Sequence, residues 1–294
     1  MRHPKIIILT LFILTSSYAE EQHNDNVESE YIGTLIYVPS GKFQRDSNEL
    51  NISYVDDFLI SKYEISREQF KKITNLSDPS NDSTSSGYID NPVQQITWYQ
   101  AIYFSNKLSQ LEGLTPVYSI NNITNPDQWG EIPTSENKEW NSIHVNWNAN
   151  GYRLPTEMEW LWAAMGGDKI DKDKINKNGY RKVFSGENNY NSKDDYAWCR
   201  ENSDRKTHIM GSKKPNALGI YDMTGNVWEW NWDWYGNYPN GYLDNYKGPS
   251  TGNERLLHGG SWLNGDDRCN NNFRLGHNPD FVYGNIGIRL VRKI

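Results

Sequence analysis

Cysteine is scarce in this 294-residue chain: Cys199 and Cys269 are the only two. Two sulfurs exclude a four-cysteine zinc site and a scaffold stapled by several bridges. The six histidines, His3, His23, His144, His208, His258 and His277, include no pair three or four residues apart, so no helical histidine pair offers itself to a transition metal. Basic runs are missing as well. With 30 Lys and Arg against 37 Asp and Glu, a net charge of −7 and no cationic block, nucleic acid and anionic membrane surfaces are excluded as partners. No stretch of eighteen apolar residues occurs, so no integral membrane segment is expected. Phenylalanine is also sparse, with 8 residues against 12 Trp and 19 Tyr. That balance favours hydrogen-bonded aromatics in a loop-rich core, or an aromatic recognition surface.

The first residues read as an address. Arg2 and Lys5 precede an apolar run from Ile6 to Leu14, and Ser17-Tyr18-Ala19 ends in the small-x-small pattern of a cleavage site. Residues 1–19 are therefore expected to be a signal peptide and the protein to be exported, periplasmic or secreted. In such a compartment an even pair of cysteines reads as a structural disulfide. Residues 20–34 are acidic and polar, a flexible lead-in to one domain spanning 35–294.

Within that domain a strand is expected at Leu35 to Val38. Three helix starts share one device: Ser66 with Gln69, Thr97 with Gln100, and Thr156 with Glu159. A Ser or Thr followed three residues later by Gln or Glu is the capping box. Ala101, Phe104, Leu108 and Leu111 recur at helical spacing before Gly113, and Gly166-Gly167 closes the third helix. Residues 168–179 read as a charged surface excursion. After Tyr180 no helix is predicted. Helices first and irregular chain with short strands afterwards imply an α+β fold.

Four blocks carry a resemblance. They are Asn150-Gly-Tyr-Arg-Leu-Pro-Thr-Glu-Met-Glu-Trp160, Tyr221-Asp-Met-Thr-Gly-Asn-Val-Trp-Glu-Trp230, His258-Gly-Gly-Ser-Trp262 and Asn285-Ile-Gly-Ile-Arg289. In this order the chain resembles the formylglycine-generating, or sulfatase-modifying factor, family from about residue 35 to 292. The resemblance implies a C-type-lectin-like fold with few short helices and strands and much irregular chain. It also implies an activity: active members use oxygen and copper to oxidise a cysteine in an unfolded sulfatase segment. Two cysteines carry that chemistry, and the matching positions here are Asn264 and Cys269. An amide is a poor ligand for soft copper(I), so copper is not expected. Cys269 is either bridged to Cys199 or a surviving single thiol. Calcium is the better-matched ion, at Asp222, Gly225, Val227 and Glu229, a hard oxygen set.

Four further features bear on function. Trp228, Trp230, Trp232 and Trp234 alternate, with Glu229, Asn231 and Asp233 between them, which favours a buried aromatic core over a sugar platform. His258 and Ser261 lie three residues apart but belong to no nucleophile elbow. Asp171-Lys-Asp173 reads as solvated charge. The segment 263–284 is rich in Asn, Asp and aromatics and is similar in layout to the ligand-contacting segment of retroelement-diversified members of the same fold. Ser261, Asn264, Asp266, Asn270, Phe273, Phe281 and Tyr283 are its candidate contacts. The function expected is a non-catalytic exported protein that binds a protein or a glycan. The alternative is an oxidase or sulfatase-maturation factor with an altered metal site.

Overall fold

The computed structural model describes residues 25–167, 174–177, 179–186 and 192–294. The expected signal peptide and the Asp171–Asp173 run lie outside them. The chain opens with strands β1 (Val27–Ser29), β2 (Gly33–Val38), β3 (Gly41–Gln44), β4 (Ile52–Val55) and β5 (Phe58–Ser61). Helices α1 (Arg67–Thr74) and α2 (Trp98–Leu111) follow, then β6 (Tyr118–Ser119), α3 (Lys138–Asn141), β7 (His144–Val145), β8 (Tyr152–Arg153) and α4 (Glu157–Ala164). The C-terminal part holds β9 (Ile175–Asn176), α5 (Lys193–Tyr196), β10 (Trp228–Trp234), β11 (Leu243–Asp244), β12 (Arg255–His258), β13 (Leu275–His277), β14 (Ile286–Gly287) and β15 (Val291–Arg292).

All three capping boxes form. In α2, for example, the Thr97 hydroxyl accepts from the Gln100 amide at 3.0 Å, and the Gln100 side chain accepts from the Thr97 amide at 2.8 Å. A cap of this kind stabilises a helix by about 1 kcal/mol. The apolar stripe of α2 is buried through Leu108, but Leu111 is 44% exposed, because it ends the helix where Gly113 (φ +66°) turns the chain away. Two expectations need correction. The lead-in carries a strand, since β1 within residues 20–34 pairs with β2. A helix also follows Tyr180: α5 is a single turn with no side-chain cap, too short to show periodicity.

The largest sheet runs β1-β2-β5-β15-β8, so the last strand lies between two early ones. A second sheet, β13-β12-β10-β14, holds the tryptophan strand, and a third runs β11-β4-β3-β9. The core has two main parts. One surrounds α2, and the other surrounds α4, whose Trp162 stacks on Phe43 with 5.6 Å between ring centres.

Candidate functional site

The site is assembled around β10. Trp230 donates from its indole to the Ile96 carbonyl at 2.9 Å, and Trp232 stacks on Tyr118 at 5.6 Å. The Arg255 guanidinium is buried among Trp234, Trp98 and Trp232, 3.4, 3.8 and 4.9 Å from their ring centres. Desolvation brings its pKa down to about 9. The tryptophan face is therefore interior, as the size of four exposed rings demands. Glu229, Asn231 and Asp233 are buried too, because α4 covers their side of the strand.

The loop after β12 carries the polar cluster that matters most. Gly260 (φ +76°) passes so close to Cys269 that a Cβ would sit 2.4 Å from the Cys269 Cα, so only glycine fits. The turn delivers Ser261, fully buried, whose hydroxyl donates to the Asn264 side-chain oxygen at 2.5 Å and accepts from the Asn285 amide at 2.8 Å. The Trp228 indole donates to the same Asn264 oxygen at 2.9 Å. The oxygen of Asn264 is thus held twice. Cys199 and Cys269 are joined by a disulfide, with 6.1 Å between Cα atoms and no exposure, and the chain has no free thiol. Closing so long a loop stabilises the fold by about 4 kcal/mol in the chain-entropy account. A copper(I) site finds no thiolate here, so the donor set does not fit that ion.

The segment 263–284 divides into a bolted half and a presented half. Asp266 pairs with buried Lys193, and Cys269 is bridged. Asn270 closes a local turn, its oxygen accepting from the Asn272 and Phe273 amides and its nitrogen donating to the Asp266 and Asp267 carbonyls. Phe273 packs on Trp228 with 6.0 Å between centres. Arg274 grips Glu157 at 2.6 and 2.9 Å and donates to the Gly236 carbonyl at 2.6 Å. Ser261, Asp266, Asn270 and Phe273 therefore hold the segment in place. Each of the four makes contacts within the fold, while Asp266, Asn270 and Phe273 stay partly exposed.

Past β13 the chain turns outward. His277, Phe281 and Tyr283 form a ladder of nearly parallel rings, 3.8 and 6.4 Å apart, and Tyr283 is 52% exposed. The ladder ends at a cavity of about 440 Å³. Leu263, Val282 and Tyr283 wall one side, and Thr84, Gln95 and Arg205 wall the other. The last three were not anticipated. They come from loops remote in sequence, and no spacing relates them.

A second buried cluster lies beneath the Asp222–Glu229 block. One Asp222 oxygen accepts from the Gly211 amide at 2.7 Å, and the other is buried with no partner. Glu229 is held by Arg289 at 2.8 and 2.9 Å and by the Trp160 indole at 2.7 Å. Glu64, unremarked in the sequence, accepts from the Asn226 side chain at 2.8 Å and the Val227 amide at 3.2 Å. Burial, then the nearby Asp222 and Glu229 charges, push Glu64 well above the usual carboxylate range, and burial raises Asp222 to about 6. Three carboxyls thus share one guanidinium, and one oxygen is orphaned. The orphaned Asp222 oxygen is the hard donor that this cluster leaves open to a cation of the calcium type. Glu229 is already engaged by Arg289, and no metal-ready cluster of three or more His, Cys, Asp or Glu side chains occurs among the described residues.

His258 points to Glu157, at 2.8 Å, and Ser261 to Asn264, so the two form no catalytic pair. The chain belongs to the sulfatase-modifying factor family: the "Sulfatase-modifying factor enzyme 1-like domain" matches residues 20–294. Its fold is the mixed α+β fold of the formylglycine-generating type. Among characterised relatives it is similar to the chaperone protein LppX of Paenibacillus barcinonensis, at 30% identity over the whole of both chains. It is also similar to the formylglycine-generating enzyme of Streptomyces coelicolor, at 34% identity over 50% of this chain and 51% of that one. Among solved structures, Treponema denticola variable protein 1 superposes with a TM-score of 0.79 at 30% identity, covering 92% of this chain and 99% of that one.

Proposed function

We propose that the chain is an exported, non-catalytic binding protein that holds a protein ligand against the outer half of the 263–284 segment. The observation that carries this reading is the presented half itself: an aromatic ladder at a cavity mouth, mounted on a half that is bolted by a disulfide and two ion pairs. A rigid base lowers the entropy lost when the ladder meets a partner. Tyr283 meets the cavity beside Leu263 and Val282, apolar side chains that suit those of a polypeptide, so a protein ligand is favoured over a glycan. Relatives named as a chaperone and as a variable protein are consistent with binding rather than turnover. Against the oxidase alternative stand the bridged cysteines and the amide of Asn264. Export is supported by the signal-like N-terminus and by the disulfide, and no helix among the described residues is long and apolar enough to cross a membrane.

The full chain should bind members of a peptide array and ignore a glycan array, and the double variant Phe281→Ala, Tyr283→Ala should lose that binding at least tenfold. Binding confined to glycans, or unaltered in the variant, would overturn the reading. Formation of an aldehyde from a cysteine peptide would restore the oxidase.

Calcium at Asp222 belongs to the same proposal, as a structural ion beneath the site. Millimolar calcium should raise the Tm of the wild type, since a ligand at a hundred times its Kd stabilises by about 2.7 kcal/mol. Asp222→Asn should abolish the calcium-induced rise. An equal rise in the variant would place the ion elsewhere.

A further inference from the structure

We propose that the cavity beside Tyr283 takes a carboxylate-bearing polypeptide segment, with Arg205 as its counter-ion and Gln95 as the amide that orients it. This rests on the binding reading above and names the chemistry of the partner.

Three observations converge. The first is conformational: Gln95 (φ 60°) adopts the left-handed backbone that side-chain-bearing residues rarely occupy, while Asp204 (φ 52°) and Arg205 (φ 59°) form a tight turn, closed from the Lys206 amide to the Ser203 carbonyl at 3.2 Å, that sets Arg205 at the cavity. Such strain persists where the surrounding structure imposes it, and it clusters at ligand sites. The Gln95 amide donates to the Tyr283 carbonyl at 3.2 Å, so the strained turn ties one cavity wall to the other.

The second is chemical. Among the described residues the side chains of half-buried Gln95 and exposed Arg205 make no hydrogen bond and no ion pair, and both line the cavity. The third is electrostatic. Among the described residues, Arg205 is the sole charged one lining it. The nearby Asp82 is held by Arg67 at 2.6 Å, and the adjoining Asp204 forms no ion pair with Arg205. A lone guanidinium beside exposed Val282 and Tyr283 is the complement of a short sequence in which an acidic residue neighbours an apolar one. The fork of a guanidinium matches a carboxylate bidentately, and an adjacent carboxamide can accept or donate to the flanking peptide group.

The test uses the full chain and two dansyl-labelled octapeptides, Gly-Ser-Glu-Phe-Asp-Val-Ser-Gly and its counterpart with Lys at both acidic positions. Fluorescence anisotropy at 50 mM salt should show the acidic peptide binding at least tenfold more tightly. Arg205→Ala should erase that preference, and Arg205→Lys should restore part of it. Gln95→Gly relieves the backbone strain, so it should weaken the acidic peptide without lowering Tm, which a misfolded variant could not do. Equal binding of the two peptides, no binding of either, or an unchanged preference in Arg205→Ala would overturn the inference. Loss of both peptides alike in Tyr283→Ala would then keep the groove as the binding site while rejecting the charge. Peptide binding indifferent to Tyr283→Ala would reject the groove itself.

Discussion

Asp233 accepts the Glu157 amide through one carboxylate oxygen at 2.8 Å, and its other oxygen is buried without a donor. Burial first, then the Glu157 charge, push its pKa well above the usual value. A carboxyl raised in this way binds its proton more tightly when folded. Its contribution to stability is fully present below about pH 4 and is lost as pH rises through the folded value. Asp233→Asn keeps an acceptor for Glu157 and removes the charge. Urea unfolding at pH 8 should find the variant more stable by about 1–3 kcal/mol, with the gap closing toward pH 4. A gap independent of pH would show that Asp233 does not titrate in this way. At this scale the sequence was informative where one residue declared its chemistry, as Asn264 does beside Gly259-Gly-Ser-Trp262. It was silent on Gln95 and Arg205, whose importance comes from a backbone angle and a neighbour that no local pattern encodes.

Elements were legible in proportion to how local their causes are. The three capping boxes are written within four residues each, and all three appear. The two-residue strands β6, β7, β8 and β14 exist only because a distant partner pairs with them, so no periodicity announces them. The 263–284 segment shows both behaviours. Its composition marked it, but composition does not tell a bolt from a contact, and the bolts depend on Lys193, Cys199 and Glu157, far away in the chain. Arg274 is the bolt nearest the presented half. Arg274→Met removes its bonds to Glu157 and Gly236 and should destabilise the protein by roughly 3 kcal/mol. Hydrogen exchange should then rise over residues 264–277 more than in α2. A uniform rise over both would mean that the segment and the core open together.

For the whole molecule, fold and family could be read from four sequence blocks, and the function could not, because the same scaffold serves oxidation and recognition alike. In the proposed reading, the bridged cysteines and the outward-facing end of the 263–284 segment are what separate the two.

The strand order of the largest sheet has a consequence for how the protein is made. β15, at residues 291–292, is inserted between β5 and β8, pairing Val291 with both Ile60 and Arg153. A ribosome-bound chain can form its helices and the β2–β5 ladder early, but it cannot join β5 to β8 until residues 291–292 have emerged. The sheet that frames the domain is therefore completed only after the whole stretch between β8 and β15 has been made.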